Sequence, residues 1–376
     1  MNPKYLLFIL SINLISFSLS SQDVWSPKEI MKIKSINQTD ISNDGKYIAY
    51  VVREAIMKDK KSEFLSQIWV YNTGGSQSIQ YTFNEKSSTS PKFSPDGKKI
   101  AFLSSRSGKN QIWIMNTLGG EAKKLTDEKK GVRSIKWSPD GNNISFLKND
   151  NDTEEETKSK ENKTDVILVD KNFKYSHIYS YDFTKDSVIQ ITKGNFSVNN
   201  FDYSPKGEKI IFSHQDDTNI NTGFVNTDIS IIESDGSNMK NIISRPGLDS
   251  NPIFSRDGNK FAFISSGGRQ ESIGLRDVYI YDLKNQKTIK LSDTPNRDSN
   301  IISWSSDNKM VIISENVNTT SQVIMLPVNG NRYISWSYNK YKKGVISSVV
   351  KSKESDYIAF CYENLDSPVE VYVSNS

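Results

Sequence analysis

The chain has 376 residues, a formal net charge of +4, and 24% charged residues of both signs. Such a mixed, solvated surface argues against a dedicated nucleic-acid groove. A single cysteine, Cys361, excludes an internal disulfide, so stability has to come from packing.

Lys4 precedes an apolar run from Leu6 to Leu19, and Ser18 and Ser20 suit the small-residue positions of a signal-peptidase site. Residues 1–20 are therefore expected to be a secretory signal cleaved near Ser20 or Ser21, which puts the mature chain in the periplasm or outside the cell. The run is short for a span of about 20 apolar residues. No membrane association is expected after cleavage, and the absence of a cysteine at the cleavage point argues against a lipid anchor there. From Asp23 to Lys34 a short helix is expected, with Ser26 as its cap, Pro27 in its first position and Glu29 in its first turn.

A repeat then takes over. Phe93-Ser94-Pro95-Asp96-Gly97 reads as a type I turn feeding the short apolar run Ile100-Ala101-Phe102, as expected of a strand covered on both faces. Related copies begin at Ile41, Trp137, Tyr203, Phe254 and Trp304, and a worn one at Ser352, which makes seven. Asn308 stands for the turn glycine in the sixth, a left-handed site that asparagine tolerates. Most copies are followed by an alternating run such as Gln67-Ile68-Trp69-Val70-Tyr71, a Gly/Asn/Asp turn, and a short polar–apolar strand. Several strands per period of about 40–50 residues is what a propeller blade requires, and stacked neighbours supply the core together. The expected fold is all-β: a seven-bladed β-propeller of WD40-like Ser-Pro-Asp-Gly repeats over residues 21–376.

Two departures stand out. Residues 148–165, with the run Asp152-Thr153-Glu154-Glu155-Glu156, stretch the repeat and are too polar to pack, so a mobile charged insertion is expected. The last blade is incomplete: after Ile358-Ala359-Phe360 only Asp366 to Val373 reads as one more strand. No further strand is seen to close the ring by pairing with the first blade, and an unpaired edge invites aggregation. A segment following the chain in the intact gene product is the expectation.

Catalytic machinery is not found. There is no Gly-x-Ser-x-Gly elbow, and the two histidines, His177 and His214, read as strand-edge residues. No His-x-x-x-His or Cys-x-x-Cys pair points to zinc. Gly-Gly pairs at 74–75, 119–120 and 267–268 fall in turns, so no phosphate cradle is indicated. Cys361 reads as a small buried apolar residue. The expectation is no catalytic, cofactor-binding or metal-binding residue and no cofactor.

With the repeats laid out, the sequence resembles the N-terminal propeller of prolyl oligopeptidase family (S9) serine peptidases, in the dipeptidyl-peptidase and acylaminoacyl-peptidase branch. The likeness rests on Phe93–Gly97 and Trp137–Gly141, on the charged insertion and the run Asp165 to Tyr181 after it, and on Phe201–Pro205 and Thr227–Ser230 in the same order. In that family a propeller caps an α/β-hydrolase domain that carries the triad, and it restricts access to small peptides. The resemblance implies a substrate-gating, non-catalytic chain, inactive alone, whose partners are an α/β-hydrolase domain (same gene or split partner) and short peptides. The turn repeat also occurs in the periplasmic TolB propeller. The alternative is thus a TolB-like propeller that binds a protein or peptide partner.

Overall fold

The computed structural model describes residues 26–375 apart from 59–60, 76, 167–172, 272–273, 338–340 and 342. The expected signal segment, its cleavage point and part of the run from Asp165 to Tyr181 lie outside the described residues. Two units are present, one ending at Ile33 and one comprising residues 34–376. In the first, α1 (Pro27–Met31) starts as its sequence requires: Ser26 Oγ accepts from Glu29 N at 3.2 Å and Pro27 needs no partner for a missing N–H.

The second unit is an all-β propeller. Its first sheet is the antiparallel meander β1 (Ser35–Ile41), β2 (Tyr47–Lys58), β3 (Lys61–Asn72) and β4 (Ser78–Gln80). The second is β5 (Ser88–Phe93), β6 (Lys99–Ser104), β7 (Gln111–Asn116) and β8 (Lys123–Lys124). The third is β9 (Arg133–Trp137), β10 (Asn143–Asn149), β11 (Ser176–Asp182) and β12 (Ser187–Gln190). An eight-stranded sheet follows, composed of two meanders. One is β13 (Ser197–Tyr203), β14 (Lys209–Gln215), β15 (Asn226–Glu233) and β16 (Lys240–Ile243). The other is β17 (Gly247–Phe254), β18 (Lys260–Ser265), β19 (Asp277–Asp282) and β20 (Lys287–Lys290). Only the parallel pairing of Asn226 with Gly247 and Thr227 with Leu248 joins them. Then come β21 (Ser299–Trp304), β22 (Met310–Val317), β23 (Thr320–Pro327) and β24 (Ile334–Ser335), and a three-stranded sheet of β25 (Gly344–Lys351), β26 (Tyr357–Asn364) and β27 (Ser367–Asn375).

The second strand of each meander is apolar at consecutive positions because both of its faces are covered. In β6, Phe102 packs toward the first sheet with Ala49 and Ile68, whereas Ala101 and Leu103 pack toward Ile144 and Phe146 of the third. The same relation continues through Leu147 with Phe212, Ile211 with Phe263, Ala262 with Val311, and Ile312 with Phe360. It returns to the start when Ala359, Val350 and Val371 pack on Ile41, Ile48 and Tyr71. Between the last and first sheets, Ser352 Oγ donates to Asn43 O at 2.7 Å and Glu354 N to the same oxygen at 2.9 Å. Among the described residues the ends of the ring meet by side-chain packing and loop hydrogen bonds, with no strand shared between the first and last sheets.

The repeated turn has a definite chemistry. Gly97 N donates to Ser94 O at 2.8 Å, closing the turn, and Gly97 takes φ +68°. Ser94 Oγ accepts from Lys99 N at 2.9 Å and donates to Asp96 Oδ1 at 2.6 Å, and that carboxylate also accepts from Lys98 N at 3.1 Å. Ser42/Asp44, Ser138/Asp140, Ser255/Asp257 and Ser305/Asp307 repeat the serine-to-aspartate bond. The turns also nest against one another. A side chain at Gly207 would meet Pro139 Cδ at 3.2 Å, in a backbone conformation with φ +78° that already favours glycine.

These carboxylates make the turns acid-sensitive. The hydroxyl of Ser94 holds Asp96, and that of Ser305 holds Asp307, below the usual aspartate pKa. At Asp44, Asp140 and Asp257 burial works the other way, but the combined hydrogen bonds win. A depressed folded-state pKa gives stability that is present above the unfolded value, about 3.9, and is lost as pH falls through the folded one. The expected result is a melting temperature that drops on acidification below about pH 4, and drops less in a variant with these aspartates changed to asparagine. Identical acid slopes would remove the turns as the cause.

The charged insertion contains a short helix. Lys148 belongs to β10, where it is buried, pairs with Glu128 at 2.7 Å and lies over the Tyr179 ring at 4.0 Å. The polar segment thus opens later than its composition indicates. Within it, α2 (Glu154–Glu161) has a capping box: Thr153 Oγ1 accepts from Glu156 N, and Glu156 reaches back to Thr153 N. No residue of α2 is buried, as its polarity dictates.

Candidate functional site

The first strand of each meander lines an axial cavity of about 560 Å³. Its wall at the turn end is built from two repeat positions. One is two residues before the turn serine: Asp40, Lys92, Lys136, Asp202, Ile253, Ser303 and Val350 all face the cavity. The other directly follows the serine, where Asn43, Pro95, Pro139, Pro205, Arg256 and Lys353 face it.

The charges at the first position pair between neighbouring meanders. Lys92 Nζ lies 2.8 Å from Asp40 Oδ1, and Lys136 Nζ lies 3.0 Å from Asp202 Oδ1. Each carboxylate uses its second oxygen to accept a backbone N–H from the next first strand, Phe93 N at 2.8 Å and Phe254 N at 3.1 Å. Tryptophans add ties of the same kind: Trp137 Nε1 donates to Lys92 O at 3.0 Å and Trp304 Nε1 to Ile253 O at 3.1 Å. Bulges interrupt the first strands. Gln38, Ser90, Ser134, Asn251 and Ser348 sit at φ between +51° and +56°, each beside a register shift in its strand or within a short one. Gln38 links two neighbours, donating from its N–H to Ser348 Oγ at 3.0 Å and accepting from Ser90 N through Oε1 at 2.8 Å.

The residues singled out as chemically active types lie away from this cavity. His177 and His214 are interior rather than at strand edges, flanking Phe196 with ring centroids at 5.4 and 5.0 Å. Burial lowers both imidazole pKa values, so they stay neutral at pH 7. His214 Nε2 is 2.9 Å from Ser230 Oγ, while its Nδ1 is buried without a partner among the described residues. Cys361 is fully buried in β26, and burial pushes its thiol pKa up to about 11. Thiol reagents are expected to leave native protein unlabelled and to modify one cysteine after denaturation; rapid native labelling would contradict the burial. Among the described residues no cluster of His, Cys, Asp and Glu could hold a metal ion. The arrangement can admit, orient and discriminate a ligand by charge. Among the described residues that line it, no serine or cysteine is paired with a histidine.

The wall positions were not found from the sequence, although a signal was there. Read at the repeat period, the residue two before the turn serine is Asp40, Lys92, Lys136 and Asp202 in the first four copies, opposite charges that pair across 52 and 66 residues.

Residues 64–164 match the Tricorn protease N-terminal beta propeller domain. The chain is 26% identical over 309 residues to dipeptidyl-peptidase 5 of Porphyromonas gingivalis, covering 76% of this chain and 45% of that protein. It is 38% identical over 80 residues to the uncharacterized peptidase YuxL of Bacillus subtilis, covering 21% of this chain and 12% of that one. Acylaminoacyl peptidase from Pyrococcus horikoshii superposes with a TM-score of 0.68 at 20% identity, over 94% of this chain and 53% of that one, which shows the fold. The chain thus spans about half the length, or less, of the relatives it matches. The chain is thus similar to a Tricorn-type propeller in one segment, to peptidases in sequence, and to acylaminoacyl peptidase in fold.

Proposed function

We propose that this chain is the substrate-gating propeller of an exported serine peptidase of the prolyl oligopeptidase family, acting on short peptides with an α/β-hydrolase domain. The observation that carries this reading is the similarity to dipeptidyl-peptidase 5, which runs through 76% of the chain. The ring is read as seven-bladed: the eight-stranded sheet counts as two blades because only two residue pairs join its meanders, and the three-stranded sheet is the last blade. A signal at residues 1–20 accounts for export, and no helix among the described residues is long and apolar enough to cross a membrane.

Size supports the gating role. A cavity of about 560 Å³ falls in the range that holds small ligands, and it would accommodate a few residues of extended peptide rather than a folded domain. Catalysis then belongs to the hydrolase domain, and this chain contributes selection by dimension and charge.

The test is to read the coding DNA beyond Ser376 and assay the intact gene product, with whatever co-purifies, on dipeptidyl p-nitroanilides. Hydrolysis by the intact product and none by residues 21–376 alone is the expected result. A stop codon with no co-purifying hydrolase would overturn the proposal and favour a stand-alone propeller that binds a partner.

A further inference from the structure

Three of the turns facing the axial cavity carry proline after the turn serine, Pro95, Pro139 and Pro205. The turns entering β18 and β26 carry Arg256 and Lys353 in that place. Nothing in the turn itself calls for a cation there, because proline suits the position as well or better.

The two cations are close. Arg256 reaches from the β17–β18 turn to the β25–β26 turn, passing over the one between them. Its Nη1 donates to Lys353 O at 2.9 Å and its Nη2 to Ser352 O at 3.3 Å. Its Nε is buried and has no partner among the described residues. The Lys353 ammonium makes no ion pair or hydrogen bond among the described residues, although Asp202 and Asp40 lie near enough to attract it. The acids nearby are largely committed: Asp40 and Asp202 each hold a lysine and a backbone N–H. Lys351, also on the wall, lies 3.7 Å from Asp356, and Glu354 is the remaining acid on the wall. The cavity wall carries five basic side chains against three acidic ones. Lys353 is open to solvent within the cavity but surrounded by protein, and this burial lowers its pKa, a cost that a bound anion would relieve.

We infer that the turn-lined end of the axial cavity is an oxyanion site, in which Lys353 and Arg256 receive a carboxylate or phosphate group. For a propeller that gates peptides, the carboxylate is the free C-terminus of the incoming chain. That refinement rests on the peptidase reading, whereas anion binding itself is measured on this chain alone and stands or falls separately.

Calorimetric titration of residues 21–376 with N-acetyl-triglycine, with its C-terminal amide, and with inorganic phosphate tests the site. The acid is expected to bind and the amide to bind at least about tenfold more weakly, the usual scale of one charge-assisted hydrogen bond. Lys353→Ala should weaken the acid by a similar factor and Lys353→Arg should restore it, with melting temperatures of both variants unchanged because the side chain has no structural partner. Tighter binding of phosphate than of the peptide acid would support the site and assign it to phosphate; the reverse order supports the peptide carboxylate. Equal affinity for acid and amide, insensitivity of both anions to Lys353→Ala, or no binding of either anion up to about 10 mM would overturn the inference.

Discussion

Trp304→Ala is expected to cost about 3–5 kcal/mol, the range for removing a large aromatic side chain from a packed core. Trp304 is 1% exposed and fills the space between the β17–β20 meander and the next sheet, against Ala262, Ile264 and Val311. Its Nε1–H also donates to Ile253 O, so alanine leaves a cavity and loses a part-buried hydrogen bond. Against a typical total of about 5–15 kcal/mol, this is enough to shift the urea midpoint strongly. Trp137 is the internal control. It makes the same bond, to Lys92 O, and stacks on Phe183 at 5.6 Å, but it is only half-buried. Trp137→Ala should cost clearly less. Equal losses would mean that the inter-strand hydrogen bond, rather than packing, sets the value.

The second large effect is expected at Arg245. Its Nε and Nη2 donate to Asp249 Oδ2 and Oδ1 at 3.0 and 2.9 Å, and Nη2 also reaches Ser265 Oγ at 2.8 Å. The Asp249 side chain is fully buried, and its backbone is tied to Thr227 at the joint between β15 and β17. Arg245→Ala strands that carboxylate without its cation, a change that costs about 3–5 kcal/mol when a buried pair is broken. The arginine is about one-third exposed, so solvent screening places the effect toward the lower end. The double variant Arg245→Met with Asp249→Leu should recover most of the loss, because apolar replacement of a buried pair is often neutral. A double variant as unstable as Arg245→Ala would show that the hydrogen bonds to Ser265 and the packing, not the stranded charge, account for the effect.

Much of this fold is visible in the sequence because each turn stabilises itself. Ser94, Asp96 and Gly97 bond only to residues within five positions, so the turn is written wherever those residue types recur. Apolar runs such as Ile100-Ala101-Phe102 follow from burial on both faces. The first strands are harder to read. Asn37 to Ile41 mixes polar and apolar residues, and the bulge between Asn37 and Asp40 breaks the period-two pattern that would assign faces. The cavity wall was hidden for that reason, since its charges meet partners a full repeat away. The helix α2 is not legible for the opposite reason. Composition marked the segment as too polar to pack, yet a capping box needs no core.

The way the sheets meet also bears on how such a chain could have grown. Each meander is completed within one contiguous stretch of sequence, and neighbouring sheets touch almost entirely through side chains, with Asn226–Gly247, Thr227–Leu248 and the isolated Arg276–Asp298 bridge as the paired exceptions among the described residues. A gene duplication of one stretch of about 40–50 codons adds a whole blade without cutting any existing ladder. The inherited module is then a free-standing meander, and selection has only to retune the two apolar faces that meet the newcomer. The closing contact of Ala359 with Ile41 and Ile48 is the same kind of surface as the internal ones. Copy number can therefore drift in evolution with little change to the local rules, while the charges at the first wall position are tied in pairs across copies, Asp40 with Lys92 and Lys136 with Asp202.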